Sequence, residues 1–400
     1  MTRFDALVIG GGPAGSTAAL ALARAGLTVA VVEKAAFPRR KVCGEFISAT
    51  TWPLLRRLDV ARKLLALAGP PVRRVGFYAG ETVVHAPMPT PDDSDAWGRA
   101  VGRESLDREL LEAAARTGAR VFQPGSVMAC EDAGATWRVS VEGPGAERLT
   151  LEARVVVAAH GSWERGNLTT QAGRAAPRRG DLMGFKAHYR HAGLPADVMP
   201  LLLFPGGYGG LVASDDGRTS FSCCIRRDAL RACRASHPGL PAGEAVMAHA
   251  RGHCRGLREA LEGAERDGPW LSAGPIRPGI RTLARPRLFV VGNAAGEAHP
   301  LVAEGLSMAM QSGWIAASRI ASAGALGDAP LREAAGAYAH AWRKQFAARV
   351  RASSAFAAVM LAPPTRAAAA AVLERVPAVL TWGARRSGKA AGLRSLEAFP

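Results

Sequence analysis

Acidic residues are scarce in this chain: 34 Asp and Glu stand against 51 Lys and Arg, a formal net charge of +17 over 400 residues. Such a field draws anions: phosphates, an acidic or carrier-bound small molecule, or a membrane face. It does not point to nucleic acid, because the arginines are scattered and no nucleic-acid motif is present. Cysteine is sparse too. Cys43, Cys130, Cys223, Cys224, Cys233 and Cys254 show no C-x-x-C spacing, which excludes a disulfide framework and predicts reduced thiols in a cytoplasm. Cys233, His237, His253 and Cys254 fit no usual ligand spacing, so no metal is expected. Long apolar runs are also missing. The nearest, residues 355–382, is cut by Pro363, Pro364, Arg366, Glu374, Arg375 and Pro377, so no bilayer-spanning helix is expected. The first strand begins within a few residues of Met1, leaving no room for a signal peptide. The expectation is a soluble, cytoplasmic protein whose C-terminal helices are the segment suited to meeting a membrane surface or another protein.

What is present is ordered glycine. Residues 4–9 (FDALVI) form an apolar run of the kind buried on both faces of a parallel sheet. They lead straight into Gly10-Gly11-Gly12-Pro13-Ala14-Gly15, with glycine at all three positions of G-x-G-x-x-G. An alanine-rich helix follows over residues 16–25, then Gly26, a second apolar strand over residues 27–32, and Glu33. Gly10 permits the tight turn, Gly12 lets a pyrophosphate approach the backbone, and Gly15 lets helix and strand pack closely. The helix N-terminus offers unpaired N–H groups to the anion. Glu33 lies at about the 20-residue spacing of a carboxylate that holds a ribose hydroxyl. Together these predict a dinucleotide site for FAD or NAD rather than NADP.

Further on, the periodicity predicts one helix over residues 50–67 and a hairpin of residues 72–78 and 82–85. A surface loop is expected over residues 87–95. Next come a helix over residues 104–117 and strands over residues 119–122, 127–131, 136–141, 148–152 and 155–159. A polar connection over residues 163–180 leads to strands at 182–190, 199–204, 209–213 and 220–225, then helices near 228–235 and 244–261. The chain returns through residues 276–284 to a strand at 288–291, a long helix over 302–321, and an alanine-rich helical region from Pro330. There is no second strand–GxGxxG–helix unit, so a stably held second dinucleotide is not expected.

The fingerprint, Gly102-Arg103 opening a helix, and Gly292-Asn293-Ala294-Ala295-Gly296 with His299-Pro300 and Glu304-Gly305 resemble the FAD-dependent aromatic hydroxylase superfamily. The branch they are most similar to is that of the geranylgeranyl-reductase-like flavoproteins. Pro38-Arg39-Arg40-Lys41-Val42-Cys43-Gly44 resembles its Pro-Arg…Cys-Gly loop, and Pro205-Gly206-Gly207-Tyr208 its Pro-Gly-Gly-Tyr strand. The resemblance implies an α/β fold. Its core is a Rossmann-like FAD-binding domain of the glutathione-reductase type, like that of p-hydroxybenzoate hydroxylase (residues 1–72, 99–180 and 271–330). An antiparallel β-sheet substrate domain of α+β character (residues 73–98 and 181–270) and a C-terminal helical region (residues 331–400) complete it.

The same resemblance implies the cofactor contacts. Gly10, Gly12, Pro13, Ala14, Gly15, Glu33 and Lys34 would hold the adenosine diphosphate, with the Val127 backbone beside the adenine and Arg103 at the middle of FAD. Arg40, Cys43 and Gly44 would border the ring. Asn293 stands where the family usually has Asp, and Gly305, Leu306 and Ser307 would turn helix N–H groups to the ring carbonyl. Pro300 and His299 would lie at its reactive edge. Candidate catalytic residues are Tyr208, read as an exposed hydroxyl on a glycine-flanked strand, His299, Glu45 and Cys43. Glu45 reads as either a solvated acid or a proton donor, and Cys43 as a packing residue or a redox thiol. His188 and Arg190 share a strand face and form a weaker candidate pair.

His160-Gly161 replaces the family's Asp-Gly, and Gly210-Leu211-Val212-Ala213 replaces the aromatic stretch of prenyl reductases. The Trp-rich motif of flavin halogenases is absent, which argues against that chemistry. The favoured function is a monooxygenase that uses transiently bound NAD(P)H and O2 on a hydrophobic aromatic or polyketide-like molecule. The alternative is a reductase or dehydrogenase of C=C or C–C bonds in a lipophilic, prenyl-like substrate. A third reading is a flavin-binding, membrane-docking protein.

Overall fold

The computed structural model describes residues 2–90, 97–161, 168 and 176–389. Most of the expected loop at 87–95 and of the connection at 163–180 lies outside them. Its helices are α1 (Pro13–Arg24), α2 (Trp52–Arg57), α3 (Ala61–Leu67), α4 (Arg103–Arg116), α5 (Arg227–Ser236), α6 (Ala242–Gly252), α7 (Arg255–Ala260), α8 (Gly305–Ala321), α9 (Asp328–Leu361), α10 (Pro363–Arg375) and α11 (Ala378–Ala384).

Two sheets carry the molecule. In the first, an eight-stranded sheet, the apolar run Thr2–Ile9 sits in the middle, paired in parallel with Val29–Val32 and Arg148–Ala158. Arg120–Phe122 and Leu288–Val290 extend the parallel core on either side. Helices cover this sheet, so the buried ends of its central strands, 6–9, 29–32 and 155–158, are apolar, as burial on both faces requires. The two strands expected at 148–152 and 155–159 are one strand. Ala153 pairs with both Phe4 and Trp137, so the ladder runs unbroken through Arg154.

The second sheet is seven-stranded and runs Glu265–Ile276, Leu182–Arg190, Thr219–Arg226, Gly207–Ala213, Val198–Phe204, Arg74–Ala79, Thr82–Pro87. It is not wholly antiparallel: Val198–Phe204 and Arg74–Ala79 pair in parallel, because the hairpin 74–87 is imported from a distant part of the chain. The strand Glu265–Ile276 has no counterpart in the sequence reading. Gly268, Pro269, Gly274 and Pro275 disguise it, and they are tolerated because it is an edge strand that pairs through bulges.

Two expected helices are broken. Residues 50–67 divide into a 3₁₀ turn, α2 and α3, with Asp59 at φ 55° between them. Residues 244–261 divide at Cys254, whose extended backbone forms a bridge to Gly80. The helix expected from Val302 begins at Gly305, after a 3₁₀ turn at Pro300–Val302 and Ala303 at φ 52°. No single described helix is long and apolar enough to cross a membrane; α9 and α10 meet that requirement of length and composition only as a pair, bent by 94°.

Candidate active site

A cavity of about 1200 Å³ begins at the glycine turn and runs between the sheets to the C-terminal helices. That exceeds the roughly 300–1,000 Å³ of an ordinary ligand pocket. At its amino end a Cβ on Gly15 would collide with the Gly10 carbonyl, so helix α1 is held tight to the strand. A Cβ on Gly12 would meet only the Arg103 guanidinium, 3.8 Å away, so this backbone faces open space. Helix α1 carries no side-chain cap, which leaves its first N–H groups for an anion. Glu33 is buried and accepts the Gly11 N–H at 2.7 Å and the Ala35 N–H at 2.9 Å. Its carboxylate is fixed at the end of its strand.

Basic groups gather beside it. Arg103 makes a two-pronged contact with Asp107, both distances 2.7 Å. Arg39 stands 3.6 Å from Glu33 and 3.5 Å from Asp107. Lys41 borders the cavity, and burial together with Arg103 and Arg39 lowers it to about 8. Arg40 also borders the cavity but commits its guanidinium to Glu104 (3.0 Å) and the Asp267 carbonyl (2.7 Å), tying the loop to the edge strand of the second sheet. The open glycine turn, the uncapped helix and this donor set fit FAD.

The Cys43-Gly44-Glu45 loop is where the sequence reading needs most correction. Glu45 is neither a solvated acid nor a proton donor. It is 1 % exposed and is the hub of a buried network. Its carboxylate ion-pairs with Lys186, meets His188 Nε2 at 3.0 Å, and accepts the Arg103 backbone N–H at 3.2 Å. Burial alone would raise the carboxyl, but Lys186 and His188 outweigh it and hold it well below the usual range. His188 and Arg190 do not act together, since Arg190 pairs at the surface with Asp216 and Asp267. Lys186 was missed. Its signal was available: one of six lysines among 51 bases, set in the apolar first half of its strand. Cys43 is half-buried and its Sγ accepts the Glu45 N–H at 3.4 Å.

At the far end, Asn293 donates to Glu297 at 2.9 Å. Gly305 and Leu306 border the cavity at the start of α8. The side chain of Ser307 turns away, to Ser48 Oγ at 2.8 Å. His299 lies one layer behind the lining, with its ring 5.1 Å from that of Tyr208. Burial lowers it to about 4, so it is neutral, and its Nδ1 has no hydrogen-bond partner. Tyr208 is not exposed: it is 3 % accessible and borders the cavity. Its hydroxyl meets the Cys224 thiol, and burial together with Cys224 raises it well above 10. Of the cofactor and catalytic candidates read from sequence, all but Gly15, His188, Arg190, His299 and Ser307 border this one cavity.

Beyond Tyr208 the lining becomes apolar and is supplied by the second sheet (Phe77, Leu201) and the C-terminal helices (Phe356, Leu373, Leu380). Sequence reading missed this contribution, because α9–α11 approach the site only through tertiary contacts. Lys389 anchors their end, donating to the Val302 carbonyl at 2.7 Å and to Glu304 at 3.1 Å. Among the described residues no group of three or more His, Cys, Asp or Glu is placed to hold a metal.

The family model described as an FAD binding domain matches residues 3–188. Menaquinone reductase of Mycolicibacterium smegmatis is 28% identical over 341 residues, spanning 81% of this chain and 78% of that protein. The structure of the myxobacterial chondrochloren halogenase superposes with a TM-score of 0.74 at 23% identity, covering 86% of this chain and 80% of that one. A geranylgeranyl bacteriochlorophyll reductase-like protein from Thermoplasma acidophilum gives 0.64 at 20% identity, covering 86% and 84%. At these identities the solved structures speak for the fold. With the FAD-binding match lying over the fingerprint, the Cys-Gly loop and Arg103, this chain carries an FAD-binding domain and is an FAD-dependent oxidoreductase.

Proposed function

We propose that the protein is an FAD-dependent reductase of carbon–carbon double bonds in a long, lipophilic, isoprenoid-type substrate. The observation that carries this reading is the continuation of the cavity past Tyr208 along apolar side chains of α9–α11. FAD, when bound and reduced, supplies a hydride. The chain supplies the rest. Gly12, the N-terminus of α1, Glu33 and Arg103 bind the dinucleotide; a nicotinamide donor visits transiently. The apolar walls strip water from the substrate and align its double bond. The Tyr208 hydroxyl, buried beside the Cys224 thiol, holds the proton that the second carbon takes up. The carboxylates bordering the cavity are already engaged: Glu45 with Lys186, Glu297 with Asn293 and Glu33 with backbone N–H groups. None is placed as the free base that phenol hydroxylation requires.

Holoenzyme reduced with dithionite and mixed under nitrogen with a geranylgeranyl-bearing substrate that carries no quinone tests the reading by mass spectrometry. A product heavier by H2, formed without air, is expected. A product that gains oxygen, formed only in air, overturns the reading and restores the monooxygenase favoured by the sequence.

A further inference from the structure

The cavity opens on an unusual surface. Phe356, Val359, Val372, Val376, Val379 and Trp382 are all 41–60 % exposed and crowd the end of α9, α10 and α11. Most large apolar side chains exposed elsewhere are single; these adjoin, and four of them, Phe356, Val372, Val379 and Trp382, also line the cavity. The apolar rim is thus continuous with the apolar interior. Contiguous exposure of this kind marks a binding face.

Its charge tells what covers it. Between residues 343 and 389 stand nine Lys and Arg and one acid, Glu374, and that acid is held by the Thr82 hydroxyl at 2.7 Å. Arg351, Arg375 and Arg385 are exposed beside the apolar residues. Arg386 lies 5.2 Å over the ring of Trp382, at 60 % the most exposed large apolar side chain among the described residues. Apolar side chains ringed by bases, with a tryptophan at the boundary, match the acyl–headgroup interface of an anionic bilayer. A second copy would bring two strongly basic faces together. Helix α10 meets α9 at a 94° bend and contributes Val372 and Leu373 to the cavity lining.

We propose that the end of α9 with α10 and α11 is a docking face for an anionic lipid surface, which seats the cavity mouth on the membrane so that a lipophilic substrate reaches Tyr208 without crossing water. Only the nature of the cargo rests on the reductase reading; the docking does not.

The full-length, FAD-loaded protein is sedimented with phosphatidylcholine vesicles, with and without about one-third phosphatidylglycerol. Binding is expected with the anionic vesicles and weakens severalfold between about 0.1 and 0.5 M salt. V359D/V376D alters two exposed positions that do not border the cavity; it lowers binding at least tenfold while flavin content stays unchanged. If wild-type holoprotein stays in the supernatant with anionic vesicles, or if V359D/V376D sediments as the wild type does, the proposal falls. A wild-type dimer that V359D/V376D dissociates, with no vesicle binding, also overturns it and assigns the face to a second copy. Because sedimentation reads no turnover, this result is independent of the reductase reading.

Discussion

Glu45 occupies φ 61°, the left-handed region few non-glycine residues adopt, and its carboxylate binds groups from two domains. Strain of this kind costs about 1–3 kcal/mol and persists where surroundings enforce it; here Lys186, 0 % exposed, does so. E45Q leaves a buried ammonium without its counter-charge and is expected to lower stability by about 3–5 kcal/mol in urea unfolding. E45Q/K186M recovers much of that loss, because no unpaired charge remains. The folded pKa of Glu45 is depressed, so its contribution is complete above the ordinary carboxyl value. It fades only as pH falls toward the depressed one. The melting-temperature gap between wild type and E45Q should therefore hold constant from about pH 8 to 6 and close in acid. Tyr208 predicts the opposite pattern. Its buried hydroxyl meets only the weakly bonding Cys224 thiol, so Y208F is expected to leave stability nearly unchanged while slowing turnover at least tenfold. A variant that melts like wild type and turns over normally would remove Tyr208 from the chemistry.

Among the elements, α1 and α8 bear the cofactor site between them. A Cβ at Gly313 of α8 would strike the Ala14 carbonyl of α1, so the two helices touch backbone to backbone. G313V is expected to push α8 away, cost more than about 2 kcal/mol, and yield protein depleted in flavin, read from the ratio of flavin to protein absorbance. Elements whose hydrophobic period was long and clean, such as Thr2–Ile9, α4 and α8, were legible in the sequence. Those it missed share a cause. Asp59 and Cys254 interrupt helical periodicity with single backbone angles, and Cys254 does so to bridge Gly80, more than 170 residues away. The edge strand Glu265–Ile276 looks like a loop because an edge tolerates Gly and Pro.

At the scale of the molecule, the excess of positive charge should steer an anionic dinucleotide inward. The association rate of FAD with apoprotein is expected to fall severalfold between about 10 and 500 mM salt, in stopped-flow fluorescence. A salt-independent rate would confine the attraction to contact range. The amino-terminal turn was readable along the chain, because dinucleotide binding demands particular residue types at fixed local spacing; the Cys-Gly loop, Arg103 and the start of α8 were readable only through the family resemblance. The Glu45–Lys186–His188 cluster, the burial of Tyr208 and the apolar walls given by α9–α11 were decided by tertiary structure alone. They depend on which side chains meet across 140 or more residues of sequence, and that distance carries no period to read.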